Sequence, residues 1–184
     1  MSRKWTHAQL VKKAAQYLRR TGHKVVVTEI GVAQEEPDAI GFKGGITTVI
    51  ECKASRPDFL ADLKKPYRSE HGTGLGSERI YLTPEGLLDP DELPAGWGLI
   101  EMCKRGGGWI VSRVRPPLRF DANRRNVAGE QQILVSCLRR IGQDAPRGVS
   151  VSCYTFDTKG TVTLGILEEG DEPEGEGDSD NDNG

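Results

Sequence analysis

Apolar positions in this chain recur first at helical spacing and then, from Val25 onward, in short β-branched runs. Leu10, Ala14, Tyr17 and Leu18 share one face when wound at 3.6 residues per turn, Thr6 can cap the start and Gly22 ends it. The spacing therefore predicts a helix running to about Arg20. Val25 to Ile30 reads as a first strand, and two more apolar runs flank Gly44-Gly45. Ser55 with Asp58 three residues on is a capping-box pattern, which predicts a helix from about Arg56 to Lys65 stopping at Pro66. A fourth strand ends near Thr83. Gly98 to Met102 and Trp109 to Val114 form two further strands around the glycines at 106–108. A helix from about Asn126 to Ile141 follows, then a strand pair, Val149 to Phe156 and Thr161 to Leu167. The order helix, strand, hairpin, helix, strand predicts an α/β fold: a mixed central sheet flanked by helices.

The hairpin fixes a register. Gly44-Gly45 suits a two-residue turn because both positions can take φ > 0. Centring the turn there sets Phe42 opposite Thr47, Ile40 opposite Val49 and Asp38 opposite Glu51. Side chains alternate across a strand, so Glu51 and Lys53 point to the Asp38 side. Like charges directly opposite one another destabilise a sheet by up to about 1 kcal/mol. A fold keeps such a pair most readily with a cation between them, and here the candidates are a bound metal and the Lys53 ammonium.

Charge and composition narrow the partners. The chain has 184 residues, mean hydropathy −0.50 and a formal net charge of −2. That length suits one domain with a core rather than two. No apolar run approaches a membrane span and the basic N-terminus has no hydrophobic h-region, so the expectation is a soluble, cytoplasmic protein with no membrane partner. Cys52, Cys103, Cys137 and Cys153 show no C-x-x-C spacing, which argues against a zinc ribbon or thioredoxin-type motif. The net charge hides a split, because nine acids and no Lys or Arg lie in residues 168–184, leaving residues 1–167 at +7. The first 24 residues contain seven Lys or Arg and no acid. A basic body suits a phosphate-bearing partner. The tail, without an aromatic residue, cannot bury enough surface to fold and reads as a disordered acidic end.

Pro37-Asp38, followed after the short hairpin by Glu51-Cys52-Lys53, resembles the signature of the PD-(D/E)XK nuclease superfamily. The segments Cys52 to Asp62, Ile80 to Leu87 and Gly96 to Glu101 resemble the branch containing MmcB-like DNA-repair proteins and uncharacterised phage and bacterial proteins. The resemblance covers residues 6–102, with an echo at Leu134 to Arg140. It implies a restriction-endonuclease-like fold over residues 1–167, with a C-terminal helix and hairpin at 123–167 and the tail at 168–184. It also implies a Mg²⁺- or Mn²⁺-dependent deoxyribonuclease, serving DNA repair, phage DNA processing or restriction. Asp38 and Glu51 would be metal ligands, the backbone carbonyl of Cys52 a further one, and Lys53 would assist the attacking water. Oxygen-only ligands suit these two ions.

The residues themselves leave alternatives open. Taken singly, Asp38 reads as a turn residue and Glu51 with Lys53 as a surface ion pair; their shared register favours the catalytic reading. Glu29 stands between a third metal-side acid and an exposed strand-end residue, and Asp58 reads as the helix cap. Lys64, Lys65 and Arg68 beside Tyr67 are candidate phosphate contacts, with an ordinary charged helix end as the alternative. Gln9 and Gln16 read as solvated, His7, His23 and His71 receive no role, and the glycines at 72–76 read as a mobile loop. The expected partner is DNA, single- or double-stranded, with RNA in its place and a homodimer both left open. The competing functions are a nuclease-fold nucleic-acid-binding module without turnover, and an acidic tail that engages a basic protein.

Overall fold

The computed structural model describes residues 5–30, 35–68, 74–106, 108–141, 151–156 and 162–164. The expectation for the tail, most of the strand pair's second member and part of the glycine loop lie outside the described residues. Helix α1 spans His7–Arg20. Strands β1 (Val25–Thr28), β2 (Ala39–Lys43) and β3 (Ile46–Cys52) follow, then α2 (Arg56–Asp62), β4 (Glu78–Pro84), β5 (Gly98–Arg105), β6 (Gly108–Arg115), α3 (Val127–Ile141), β7 (Val151–Phe156) and β8 (Val162–Leu164). The chain is α/β. Strands β1–β6 form a mixed sheet that β7 and β8 extend past β1, in the order β6-β5-β4-β3-β2-β1-β7-β8. Strands β3, β4 and β5 are parallel to one another and the other pairings are antiparallel.

Local chemistry explains the boundaries. Thr6 caps α1 with a full capping box, in which Gln9 returns a bond to the Thr6 N–H; Gln9, read as solvated, has a structural job. Gly44 and Gly45 take φ of 48° and 81°, which only glycine adopts without strain, and the hairpin pairs Phe42 with Thr47 and Ile40 with Val49 as the sequence predicts. The second helix ends at Asp62, three residues before the predicted Lys65. Lys64 and Lys65 donate to Ala61 and Asp62 in tighter i→i+3 bonds, and Pro66 has no N–H to continue the ladder. The first strand stops at Thr28 because Glu29 takes φ of 52° and turns the chain.

The two faces of the sheet differ. Leu10, Val11, Ala14, Ala15 and Leu18 of α1 pack on Val26, Ile50, Cys52, Ile80 and Ile100 in one apolar layer. On the opposite face Ile133 and Cys137 of α3 cover Val27, Ile40 and Val49, and Phe59 of α2 meets Tyr81, Trp97 and Leu99. Alternation along β3 sends Ile50 and Cys52 to the α1 layer and Val49 and Glu51 to the other. Glu51 thus emerges beside α2, at the C-terminal end of the parallel strands. Among the described residues no helix is long and apolar enough to cross a membrane.

Candidate functional site

The site forms where β3 leaves the sheet. Register carries Ala39 opposite Ile50, so Asp38 lies one step beyond the end of β2, level with Glu51. Its carboxylate does not stand upright against Glu51. Oδ2 accepts a 2.7 Å hydrogen bond from the Cys52 N–H, and Oδ1 lies 3.3 Å from Nε2 of His7, at the start of α1. A histidine given no role by sequence therefore reaches the site from the opposite layer.

Glu51 is 1% exposed and Lys53 8% exposed, which removes the surface-ion-pair reading of both. Lys53 Nζ donates to Glu51 Oε2 at 3.2 Å and lies 3.2 Å from Asp62 Oδ1. Asp62, on the last turn of α2, is itself buried and accepts 2.7 Å bonds from Tyr81 and from Arg68 Nε. Arg68 NH1 donates to Glu35 Oε1 at 2.9 Å, and NH2 lies 3.0 Å from Glu51 Oε1. That Glu51 oxygen receives no hydrogen bond of acceptable angle among the described residues. The Arg68 guanidinium sits over the rings of Trp97 (4.6 Å) and Tyr67 (4.9 Å).

Electrostatics follow from this packing. Burial pushes the Glu51 carboxyl above its ordinary range and nearby Asp38 adds to that, while Arg68 and Lys53 oppose it. Burial would also raise Asp62, but its bonds to Arg68 and the charges of Arg68 and Lys53 prevail and hold it well below the usual carboxylate range. Arg68 resists loss of its proton despite burial because Glu51 and Asp62 surround it. The Cys52 thiol is driven upward by burial and belongs to the α1 layer, so the backbone carbonyl is the part of this residue relevant to a hard cation.

Asp38, Glu51 and Lys53 are thus brought together. Glu29 is exposed and bonds to the Asp38 carbonyl through its N–H. Of the candidate phosphate contacts, Lys64 is exposed, Lys65 reaches back to Asp62 at 3.0 Å, and Arg68 is 5% exposed and enclosed by carboxylates. Asp58 accepts from the Ser55 hydroxyl at the helix cap. Asp62 and Glu35 went unread in the sequence. Asp62 had a signal, because it lies three residues after the buried Phe59 and so falls on the inward stripe of α2. Glu35 had none, since it precedes the hairpin in irregular chain.

Asp38, Glu51 and the Cys52 carbonyl are the oxygen groups here that could hold a hard divalent ion. Of the Asp38 and Glu51 oxygens, Asp38 Oδ1 and Glu51 Oε1 have no backbone or Lys53 hydrogen bond among the described residues, and burial without directional partners is unfavourable for Glu51. No group of three His, Cys, Asp or Glu side chains able to hold a metal is assembled among the described residues.

No family model matches this chain, and no curated protein does. Among solved structures, a protein of unknown function from Silicibacter pomeroyi is similar at 22% identity, covering 79% of this chain and 100% of its own, with a TM-score of 0.46.

Proposed function

We propose that this protein is a metal-dependent nuclease with a restriction-endonuclease-like fold, acting on DNA. The observation that carries the reading is the meeting of Asp38, Glu51 and Lys53 at the end of β3, with both Glu51 and Lys53 buried. A buried acid and lysine with an extra acid alongside are costly to maintain for stability alone, so such groups cluster at functional sites. Asp38, Glu51 and the Cys52 carbonyl would hold Mg²⁺ or Mn²⁺. Such an ion, when bound, supplies Lewis acidity and lowers the pKa of a coordinated water. Lys53 presents N–H donors to the attacking water or to a phosphate oxygen, and Asp62 holds the far side of its ammonium.

A basic surface supports a polyanionic partner. Helix α1 carries Lys12, Lys13, Arg19 and Arg20 and no acid. A groove of about 350 Å³ runs between it and the edge strand β6, lined by Lys13, Tyr17, Arg20 and Trp109 among others. Cations beside aromatic rings suit a nucleic-acid strand, whose bases stack and whose phosphates pair.

The second reading, a binding module without turnover, draws on Glu51 being paired with Lys53 and Arg68. Purified protein incubated with labelled linear, circular, single-stranded and branched DNA, with and without Mg²⁺ or Mn²⁺, separates the two. Asp38→Ala, Glu51→Ala and Lys53→Ala are each expected to lower the cleavage rate about 10²- to 10⁴-fold. Cleavage by wild type with full rates in all three variants would refute the site; binding without cleavage in any condition favours the module.

A further inference from the structure

Arg68 makes two kinds of contact. Its directional bonds go to Asp62, at 2.7 Å from Nε and 3.3 Å from NH2, and to Glu35, at 2.9 Å from NH1. Its contact with Glu51 is charge proximity at 3.0 Å to an oxygen that gets no hydrogen bond among the described residues. Glu35 is fixed in turn, because its other oxygen accepts the Leu75 N–H at 2.6 Å. Trp97 covers one side of the guanidinium. The arginine is therefore anchored independently of Glu51, and Glu51 is the one carboxylate of the three that can leave it without breaking a well-aligned bond.

We infer that Arg68 is a built-in counter-ion for Glu51, occupying the metal's electrostatic role in the metal-free protein and surrendering Glu51 Oε1 when a divalent cation binds. This rests on the metal-site reading above and adds to it a residue outside the Asp38-Glu51-Lys53 set. A buried carboxylate level with Asp38 needs positive charge nearby at all times. Lys53 meets Oε2 and Arg68 stands by Oε1, so the site stays neutralised when empty, and its affinity for metal is what remains after competition with Arg68. Asp62 and Glu35 tune that competition. The more of the guanidinium's charge they take up, the less it holds Glu51.

The two directions of that balance make the test. Mn²⁺ alone is titrated calorimetrically into chelator-stripped full-length protein, with the Mn²⁺-induced rise in melting temperature as a second readout. Arg68→Gln is expected to tighten Mn²⁺ about tenfold by removing the competing charge. Glu35→Gln leaves the guanidinium less compensated and drawn to Glu51, so it is expected to weaken Mn²⁺ severalfold. A merely structural role would lower the melting temperature of both variants and shift their Mn²⁺ affinities in the same direction or not at all, and either result overturns the inference. Should Arg68→Gln not fold, Glu35→Gln decides it alone: unchanged or tighter binding refutes the competition. Asp38→Asn identifies the site. Wild-type binding that Asp38→Asn weakens, with no response to Arg68→Gln or Glu35→Gln, sinks this inference and leaves the metal reading standing. Absence of Mn²⁺ binding in wild type and every variant overturns both.

Discussion

Two buried glutamates stand at opposite ends of β3, one on the strand and one on α3, and their surroundings contrast. Glu130, on α3, meets the N-terminal end. Its Oε1 accepts the Gly76 N–H at 3.0 Å, while Oε2 accepts the Thr47 hydroxyl at 2.8 Å and Arg125 at 3.2 Å. Ser77 closes the same end with bonds to the Thr47 N–H and carbonyl, both 3.0 Å. Glu51, at the other end, meets two cations and feels the charge of Asp38, and its Oε1 has no hydrogen bond among the described residues. One carboxylate is consumed by fixed donors and pins a helix and a loop to the sheet. The other is neutralised without being satisfied, as expected where stability has been traded for a task.

The contrast is broken most sharply by the same isosteric change at both positions. Glu130→Gln puts an amide NH₂ against donors on one side, so it is expected to destabilise by about 2–3 kcal/mol. For Glu51 the loss is smaller. Its folded-state pKa is raised, so at neutral pH ionisation is less favourable in the fold than in the unfolded chain. Asp62 and Glu35 still pair Lys53 and Arg68 after the change, so Glu51→Gln is expected to cost less than Glu130→Gln. Urea unfolding of both variants in chelator checks the pair. A larger loss for Glu51→Gln than for Glu130→Gln would show that Glu51 is structural.

A second test concerns the neutral side of the Thr47–Thr48 end. His23 is buried, its ring nitrogens lying 2.9 Å from the Leu18 carbonyl and 2.9 Å from the Thr48 hydroxyl. Burial lowers its pKa, the Lys43 charge adding to this while the Leu18 carbonyl and Glu78 oppose it. A lowered histidine stays neutral in the fold after the unfolded chain has taken a proton. Stability therefore falls as pH drops below the unfolded value near 6.5 toward the folded one, with a slope of at most about 1.4 kcal/mol per pH unit. His23→Asn should flatten the stability profile between pH 7 and pH 5. An unchanged slope in the variant would assign that dependence to other groups.

How far the sequence reached depends on the range of the interaction. Turn chemistry and alternation are local, so the Gly44-Gly45 hairpin, its register and the side on which Glu51 and Lys53 emerge were legible. The Asp38 carboxylate was placed at the right level, but its turn toward the Cys52 N–H was not legible, because that bond depends on where β2 begins. Arg68, beside Tyr67 and two lysines, was read as a phosphate contact or part of an ordinary charged helix end. Whether a guanidinium faces water or three acids is decided by contacts to Glu35 and Glu51, 33 and 17 residues away, which no periodicity encodes. His7 was silent for the same reason: it sits on an exposed first turn, and only the crossing of α1 over the sheet brings it to Asp38.

The smallest expected effect concerns charge outside both networks. Residues 168–184 carry nine acids and no Lys or Arg, against +7 on the remainder. Segments tethered to the chain they bind reach effective concentrations in the ~mM range, at which weak electrostatic contacts of these acids would compete for the α1–β6 groove at low salt. Removing residues 168–184 is expected to tighten binding of a labelled oligonucleotide a few-fold at low ionic strength. The difference should shrink toward about 0.15 M salt, where screening acts within ~8 Å. Lys13→Glu with Arg20→Glu should weaken the oligonucleotide and erase most of the gain from truncation, because tail and phosphate would then have lost the same surface. Fluorescence anisotropy across a salt series reads both effects. Equal affinities for the full-length and shortened chains at low salt would leave the acidic residues with no part in binding. A truncation gain that survives the double charge reversal would place the competition on another basic surface than this groove.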